Sequence, residues 1–358
     1  MTTHTPTHVI VLFGGESAEH DVSCVTAAHV LRALDPTKYH ISAIGITRDG
    51  KWNLATQAMA DLKRGPEHIG EKLSTEGEPT SISVLVGDSR VEAQTVVFPL
   101  LHGPLGEDGT VQGLLELANI AFVGAGVLGS AVSMDKGVAK QVLHANGIPQ
   151  PQYISLREAH VNDASLKHAI DTLGLPLFVK PANMGSSVGV SKAKNATELK
   201  AAAAQALKYD EWIVIEEAIS GREIEVAVLG NIDARASIPG EIVPGNEFYD
   251  YEDKYITDGA QLVIPANLST DEIEAVQKLA LVIFHTLRAE GMARVDFFYA
   301  KDGRGFLCNE INTIPGFTPI SMYPKLWQAS GLSYGELLDE LIVLAVDRHS
   351  RRRRNTAR

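Results

Sequence analysis

The stretch ARVDFFYAKDGRGFLCNEINTIPG, residues 293–316, holds two strand-like runs around the turn residues Lys301 to Arg304, and its charged positions decide how the chain is read. Side chains alternate along a strand, so Arg294 shares a face with Asp296, and Glu310 with Asn312. If those faces coincide, one surface carries two carboxylates, an amide oxygen and a guanidinium. Hard oxygen donors of that kind suit magnesium, which takes its remaining oxygens from water and from substrate phosphates. An ordinary hairpin with charged, solvated faces carries the same residues. Register separates the two readings. Asp296 meets Glu310 only if Lys301 faces Gly305 across a three-residue loop, Asp302 to Arg304, or if a bulge supplies the equivalent residue. A regular two-residue Asp302-Gly303 turn would set the carboxylates on opposite faces.

Working outward, KPANMGSSVGV begins at Lys180 after an apolar strand. Gly185, Ser186, Ser187 and Gly189 are small enough for backbone N–H groups to approach a phosphate, and Lys180 offers a point charge. The same residues also suit a tight hairpin loop. Lys136 in SMDKGVAK is either a second phosphate-directed lysine or a surface helix residue. In IVIEEAISGREIEV an apolar strand runs into Glu216 and Glu217, a turn, and then Glu223. Glu216 and Glu223 suit an amino group and ribose hydroxyls, or are edge-strand charges.

Farther out, HVIVLFGG reads as a buried strand ending in a glycine turn, and Glu16 to Asp21 opens the helical stretch VSCVTAAHVLRAL. HISAIGIT, TVVFPLLHG, VQGLLELANI and AFVGAG continue the alternation, which predicts a mostly parallel α/β domain over roughly the first 125 residues. A glycine-rich joint at Gly124, Gly126 and Gly129 marks its end. From Gln152 short strands with glycine turns take over, around the helix ATELKAAAAQALK. A long helix from Asp271 to Glu290 and a last helix ending near Asp347 flank the hairpin. The tail RHSRRRRNTAR reads as a disordered, solvated end, with a nucleic-acid or membrane patch as the rival.

At 358 residues the chain exceeds the usual single-domain size, which predicts two or three domains with ligand clefts between them. Thirty-two basic against 44 acidic residues give a net charge of −12, which repels a phosphate backbone and argues against nucleic acid as a partner. No stretch approaches the roughly 20 apolar residues of a membrane helix. Met1 to His8 has no Lys or Arg, and the apolar run Val9 to Phe13 is too short for a signal-peptide core. Cys24 and Cys308 stand alone without CxxC spacing, so a disulfide framework and a zinc site are not expected and a reducing cytoplasm fits.

Lys136, KPANMGSSVG, IEEAISGRE, RVD and NEINTIPG stand in the order and spacing of the ATP-grasp superfamily. Within it, GGESAEHDVS near the start, HGPLGEDGTVQG in the middle and NTIPGFTPISMYP near the end resemble the D-alanine:D-alanine ligase family. The resemblance spans nearly the whole chain, leaving the ends and the stretch from Leu54 to Val91 without a motif. Read singly, HGPLGEDG is also a glycine turn in which Asp108 or Thr110 caps a helix, and His102 a buried structural histidine.

The resemblance implies an α/β and α+β architecture of three domains. These are an N-terminal substrate-binding α/β domain over 1–127, a central ATP-grasp domain over 128–235, and a C-terminal one over 236–358 that carries a flexible loop and the metal site. ATP would lie between the last two, and homodimers are common in the family. Lys136 and Lys180 correspond to phosphate-binding lysines, with Ser187 in the glycine loop. Glu216, Glu217 and the backbone near Ala218 and Ile219 correspond to adenine contacts, and Glu223 to the ribose ligand. Asp296, Glu310 and Asn312 match ligands for two magnesium or manganese ions. Glu19 matches the carboxylate that receives the first D-alanine's amino group, with Ser186 and Tyr255 as partners in a triad closing a flexible loop, NEFYDYEDKYITDG, whose Lys254 reaches the γ-phosphate. Ser321 and the Met322 backbone match the hold on the second D-alanine's carboxylate, with His102 among the substrate contacts. Arg294 and the Gly316 N–H would stabilise the oxyanion. The implied product is D-alanyl-D-alanine for peptidoglycan precursor synthesis. Tyr255 favours an amine acceptor over D-lactate, the alternatives being a D-alanine:D-lactate ligase or an inactive ATP-grasp nucleotide sensor.

Overall fold

A computed structural model of the chain describes residues 6–81, 94–243, 261–318 and 320–353. The continuous apolar run of β1 (Thr7–Gly14) lies between β2 (Tyr39–Ile46) and β5 (Thr95–Pro99), parallel to both. Six of its eight residues are buried, as a strand covered on both faces requires. β3 (Trp52–Leu54) and β4 (Glu78–Pro79) extend one edge antiparallel, and β6 (Ala121–Phe122) extends the other parallel to β5. The helices α1 (His20–Ala33), α2 (Thr56–Arg64) and α3 (Thr110–Leu117) belong to this sheet, so the stretch after Leu54 that carries no motif supplies one helix and an edge strand.

After α4 (Val127–Met134) and α5 (Lys136–Ala145) comes an antiparallel sheet made of β7 (Tyr153–Arg157), β8 (Leu177–Pro181), β9 (Ser191–Ala193) and β10 (Trp212–Glu217), in the order β7-β10-β8-β9. α6 (Asp163–Leu173) and α7 (Ala196–Ala206) start at Asn162 and Asn195, whose side chains accept the first free N–H groups. Both helices bury leucine and alanine against Val179, Ile213 and Ile215. The chain changes sheets at Ala218 to Ser220, inside the span expected for the central domain.

The third sheet has β11 (Gly221–Gly230) at its centre. β12 (Arg235–Ala236), β13 (Gly240–Val243) and β14 (Gln261–Val263) lie on one side, and β15 (Gly291–Ala300) and β16 (Gly305–Asn312) on the other. Alternation splits its faces. Ile224, Val226, Val295, Phe297 and Ile311 pack beneath α8 (Thr270–Thr286), which a Ser269–Glu272 capping box begins. The other face carries the charges. α9 (Met322–Ala329) and α10 (Tyr334–Arg353) close a core shared by the first and third sheets, where the Phe317 ring stands edge-on to Phe98 at 5.9 Å.

The hairpin meets its expectation by the bulge and not by the loop, and the tail departs from its expectation. Ala300 pairs with Gly305, so the hairpin loop is the four-residue Lys301 to Arg304 and not an odd-length loop. Asp302 closes it by accepting from the Arg304 N–H at 3.2 Å and from its Nε at 2.8 Å, while Gly303 and Gly305 take left-handed φ of 86° and 75° that suit glycine. That register holds to Phe297 opposite Cys308, and a bulge at Asn309 then adds one residue to β16. Asp296 thereby faces Glu310 and Arg294 faces Asn312. The bulge, and not the loop length, aligns the carboxylates.

The arginine tail is also no solvated end over its first turn and a half. α10 continues to Arg353, and Arg348, 2% exposed, sets its guanidinium 4.0 Å from the Phe122 ring centroid and donates to the Phe122 carbonyl at 2.9 Å. Burial lowers its pKa to about 10. Arg351 pairs with Glu290 at 2.7 Å, and Arg352 with Glu116. Arg348→Ala should therefore lower the unfolding free energy by about 1–3 kcal/mol in urea titrations, through a lost cation–π contact and an orphaned carbonyl.

Candidate active site

The charged face of the third sheet is built around Asp296. Arg294 donates to both of its oxygens, Nε to Oδ1 at 2.8 Å and Nη2 to Oδ2 at 2.7 Å. The Asn312 amide donates to Oδ2 at 3.0 Å. Glu225, paired with Asp296 across β11 and β15, lies 2.9 Å from Arg294 Nε. Burial opposes the Arg294 charge, but Asp296 and Glu225 outweigh it and hold the pKa well above the usual arginine value. Among the described residues no group of three or more His, Cys, Asp and Glu is arranged to hold a metal ion. The face offers two carboxylates on directly opposed residues and an amide. That is an incomplete oxygen set, which fits a magnesium or manganese ion drawing its other ligands from phosphate and water. Behind it Cys308 is an inert thiol, burial pushing its pKa up to about 12.

The second sheet and α5 bring the lysines. Lys180 on β8 and Glu216 on β10 come together in neighbouring strands, Nζ donating to Oε2 at 3.0 Å, and Lys180 also donates to Asn309 Oδ1 at 3.1 Å. Burial opposes both charges, yet Glu216 raises the Lys180 pKa, and Lys140 with Lys180 lowers that of Glu216. Lys136 opens α5 behind the Asp135 cap; its Nζ donates to the Met184 carbonyl at 2.6 Å and stands 3.8 Å from Glu310 Oε2. Ser186 and Ser187 adopt left-handed φ of 50° and 59°, an unusual conformation for residues with a Cβ.

The first sheet contributes Glu19, buried just before α1, whose Oε1 accepts from Ser186 Oγ. A Cβ on Gly185 would come within 2.8 Å of Glu19 Oε2, so any other residue there would push the Glu19 carboxylate aside. His102 is buried nearby, its Nδ1 4.0 Å from Glu107 Oε1. Burial would lower its pKa, but Glu107 and Glu19 raise it. Ser321 accepts from the Thr318 N–H at 3.1 Å, beside Gly316.

Two cavities open on these groups. One, of about 400 Å³, lies between the second and third sheets and is lined by Lys136, Lys180, Ser187, Glu216, Glu217, Ile219 and Glu223, with Asp296 at its floor. The other, of about 430 Å³, reaches the first sheet and is lined by Glu19, His102, Asn312, Gly316, Ser321 and Met322. Ser186, Arg294 and Glu310 line both, so the cavities share one charged wall. Every expected site residue among the described ones lies in one cavity or the other; Lys254 and Tyr255 lie outside the described residues. The Glu217 carboxylate is engaged by Arg304 at 2.6 Å and the Gln152 N–H at 2.8 Å.

Four participants were not singled out beforehand. Alternation from Glu223 would have put Glu225 on the same face, and Glu107 stands in the quoted HGPLGEDG. Lys140 ends the quoted SMDKGVAK, one turn from Lys136, and Asn309 opens the quoted NEINTIPG, but neither the helix spacing nor the strand alternation marks them as buried partners of the site.

A nucleotide-sized cleft that shares its charged wall with a second pocket is what a ligase using ATP requires, and the sheets around it form the ATP-grasp fold. The chain belongs to the D-alanine–D-alanine ligase family. The model of that family's N-terminus matches residues 8–125 and the model of its C-terminus residues 142–343. The D-alanine–D-alanine ligase of Clostridium novyi is 48% identical, covering 96% of this chain and 99% of the relative, and that of Geobacillus thermodenitrificans is 46% identical with 96% of each covered. Among solved structures, the D-alanine-D-alanine ligase of Coxiella burnetii superposes with a TM-score of 0.83 at 40% identity, covering 97% of this chain and 96% of that one. The VanG D-Ala:D-Ser ligase of Enterococcus faecalis superposes with a TM-score of 0.81 at 35% identity, covering 95% and 99%.

Asn309→Ala removes one acceptor from Lys180 and nothing from the apolar face. ATP binding measured by calorimetry should weaken by roughly tenfold or more, the worth of one hydrogen bond to a charged group.

Proposed function

We propose that the chain joins two D-alanines into D-alanyl-D-alanine at the expense of ATP, through a D-alanyl phosphate intermediate, for peptidoglycan precursor synthesis. The observation that carries this reading is the wall of Arg294 and Glu310 common to both cavities. A phosphoryl group leaving the first cavity there meets a carboxylate in the second. Use of magnesium or manganese, two ions per site, a homodimeric state and a cytoplasmic setting come with the family and belong to the same proposal.

A carboxylate is a poor acyl donor, so its oxygen first attacks the γ-phosphorus of ATP, ADP leaves, and a mixed anhydride forms. The protein's share is positioning and charge compensation. Lys136 and Lys180 would bind the phosphates, Glu216 and the backbone at Ile219 the adenine, and Glu223 the ribose. Asp296, Glu310 and Asn312 would hold the divalent cations, which neutralise phosphate charge when bound. Glu19, steadied by Ser186, would receive the first D-alanine's ammonium group, and Ser321 with the Met322 N–H the carboxylate of the second. The second amine, as the free base, then attacks the acyl carbon. Arg294 and the Gly316 N–H would donate to the oxyanion before the C–O bond to phosphate breaks and inorganic phosphate leaves. Asp296 and Glu225 already fix the Arg294 guanidinium, so little reorganisation accompanies the charge that develops.

Supplied with ATP, magnesium and D-alanine, alone or with D-lactate or D-serine, the enzyme should give D-alanyl-D-alanine as the main product by mass; a predominant ester or mixed dipeptide near neutral pH would reassign the acceptor. Chelation should abolish turnover and added magnesium restore it. Arg294→Met should lower kcat by roughly a hundredfold or more, the loss found on removing one oxyanion donor.

A further inference from the structure

Lys140 sits one helical turn beyond Lys136 on α5, with its side chain 2% exposed, and it does not border the nucleotide cavity. Its Nζ lies 3.3 Å from Glu216 Oε1, on the far side of the carboxylate from Lys180, which holds Oε2 at 3.0 Å. The Tyr153 ring, 5.6 Å from the Lys140 Nζ, closes the pocket behind it. Glu216, itself 2% exposed, is thus gripped from both ends, and Lys180 is divided between Glu216 and Asn309. Burying an ammonium costs more than burying an apolar chain of the same size, so a lysine here is a poor choice for packing alone.

We propose that Lys140 is a positioning residue for the nucleotide. By holding one oxygen of Glu216 it keeps that carboxylate aimed at the adenine end of the cleft, and it prevents Glu216 from closing both oxygens on Lys180. Lys180 then remains available to phosphate. The inference rests on the ATP reading of the cleft given above. It adds a residue outside the cavity that ties the base-recognising carboxylate to a phosphate-binding lysine, so that the two ends of the nucleotide are read by one buried network.

The test is steady-state kinetics of the full-length enzyme with ATP and D-alanine. Lys140→Met should raise KM for ATP roughly tenfold, leave KM for D-alanine unchanged and alter kcat much less, the pattern of lost ground-state binding. In a Glu216→Gln background the same change should have little further effect on KM for ATP, because the carboxylate it positions is gone. Lys140→Gln, which keeps a polar donor facing Oε1, should recover part of the loss and carries the test if Lys140→Met does not fold. An unchanged KM for ATP in a folded variant, an equal penalty in both backgrounds, or failure of both variants to fold would assign Lys140 to the core and overturn the proposal. A wild-type enzyme that does not turn over ATP with D-alanine would instead reject the reading of the cleft, whatever the variants do.

Discussion

Strand β16 carries one residue more than its partner, and the charged face of the third sheet depends on it. Without the bulge at Asn309, the four-residue loop would put Glu310 on the face where Phe297 and Ile311 are buried, and a carboxylate would enter an apolar core. With it, Glu310 stands opposite Asp296 and next to Lys136, while Asn309 turns its amide oxygen to Lys180. One irregularity thus joins Lys180 of the second sheet and Lys136 of α5 to the carboxylates of the third.

The wall so formed is dense in buried charge, and each charge has a counterpart. Asp296 and Glu225 answer Arg294; Glu216 answers Lys140 and Lys180. Such groups are costly to desolvate singly and persist because the network compensates them together. The surrounding architecture keeps them dry and in register. α8 seals the back of the sheet, and α9 and α10 tie it to the first sheet through Phe317, Tyr323 and Leu337. That shared core brings Glu19 from near the N-terminus to Ser186 in the glycine loop, so the two cavities meet at one charged wall.

Much of this was legible because it follows period and punctuation. The buried run Val9 to Phe13 announces a central parallel strand, and Arg294 with Asp296 announces a charged strand face. The family motifs then placed Glu19, Lys136 and Ser321 beside them, although those residues are far apart in the chain. What stayed hidden was set by three-dimensional context. A bulge adds one residue without any compositional mark, so the sequence leaves an odd loop and a bulge as equal routes and only the register shows that Asn309 supplies the extra residue. Lys140 looks like a helix-surface lysine until the second sheet covers it. The first arginines of the tail look solvated until Arg348 meets Phe122. Lys254 and Tyr255 lie outside the described residues, and the preference for an amine acceptor rests on the sequence alone.

In the proposed mechanism one charged wall passes a phosphoryl group from ATP to a D-alanine carboxylate. Its most direct measurement uses D-alanine labelled with heavy oxygen in the carboxylate, followed by mass analysis of the inorganic phosphate released. An acyl phosphate requires one labelled oxygen to leave with each phosphate as the peptide bond forms. Unlabelled phosphate alongside dipeptide product would rule out the acyl phosphate.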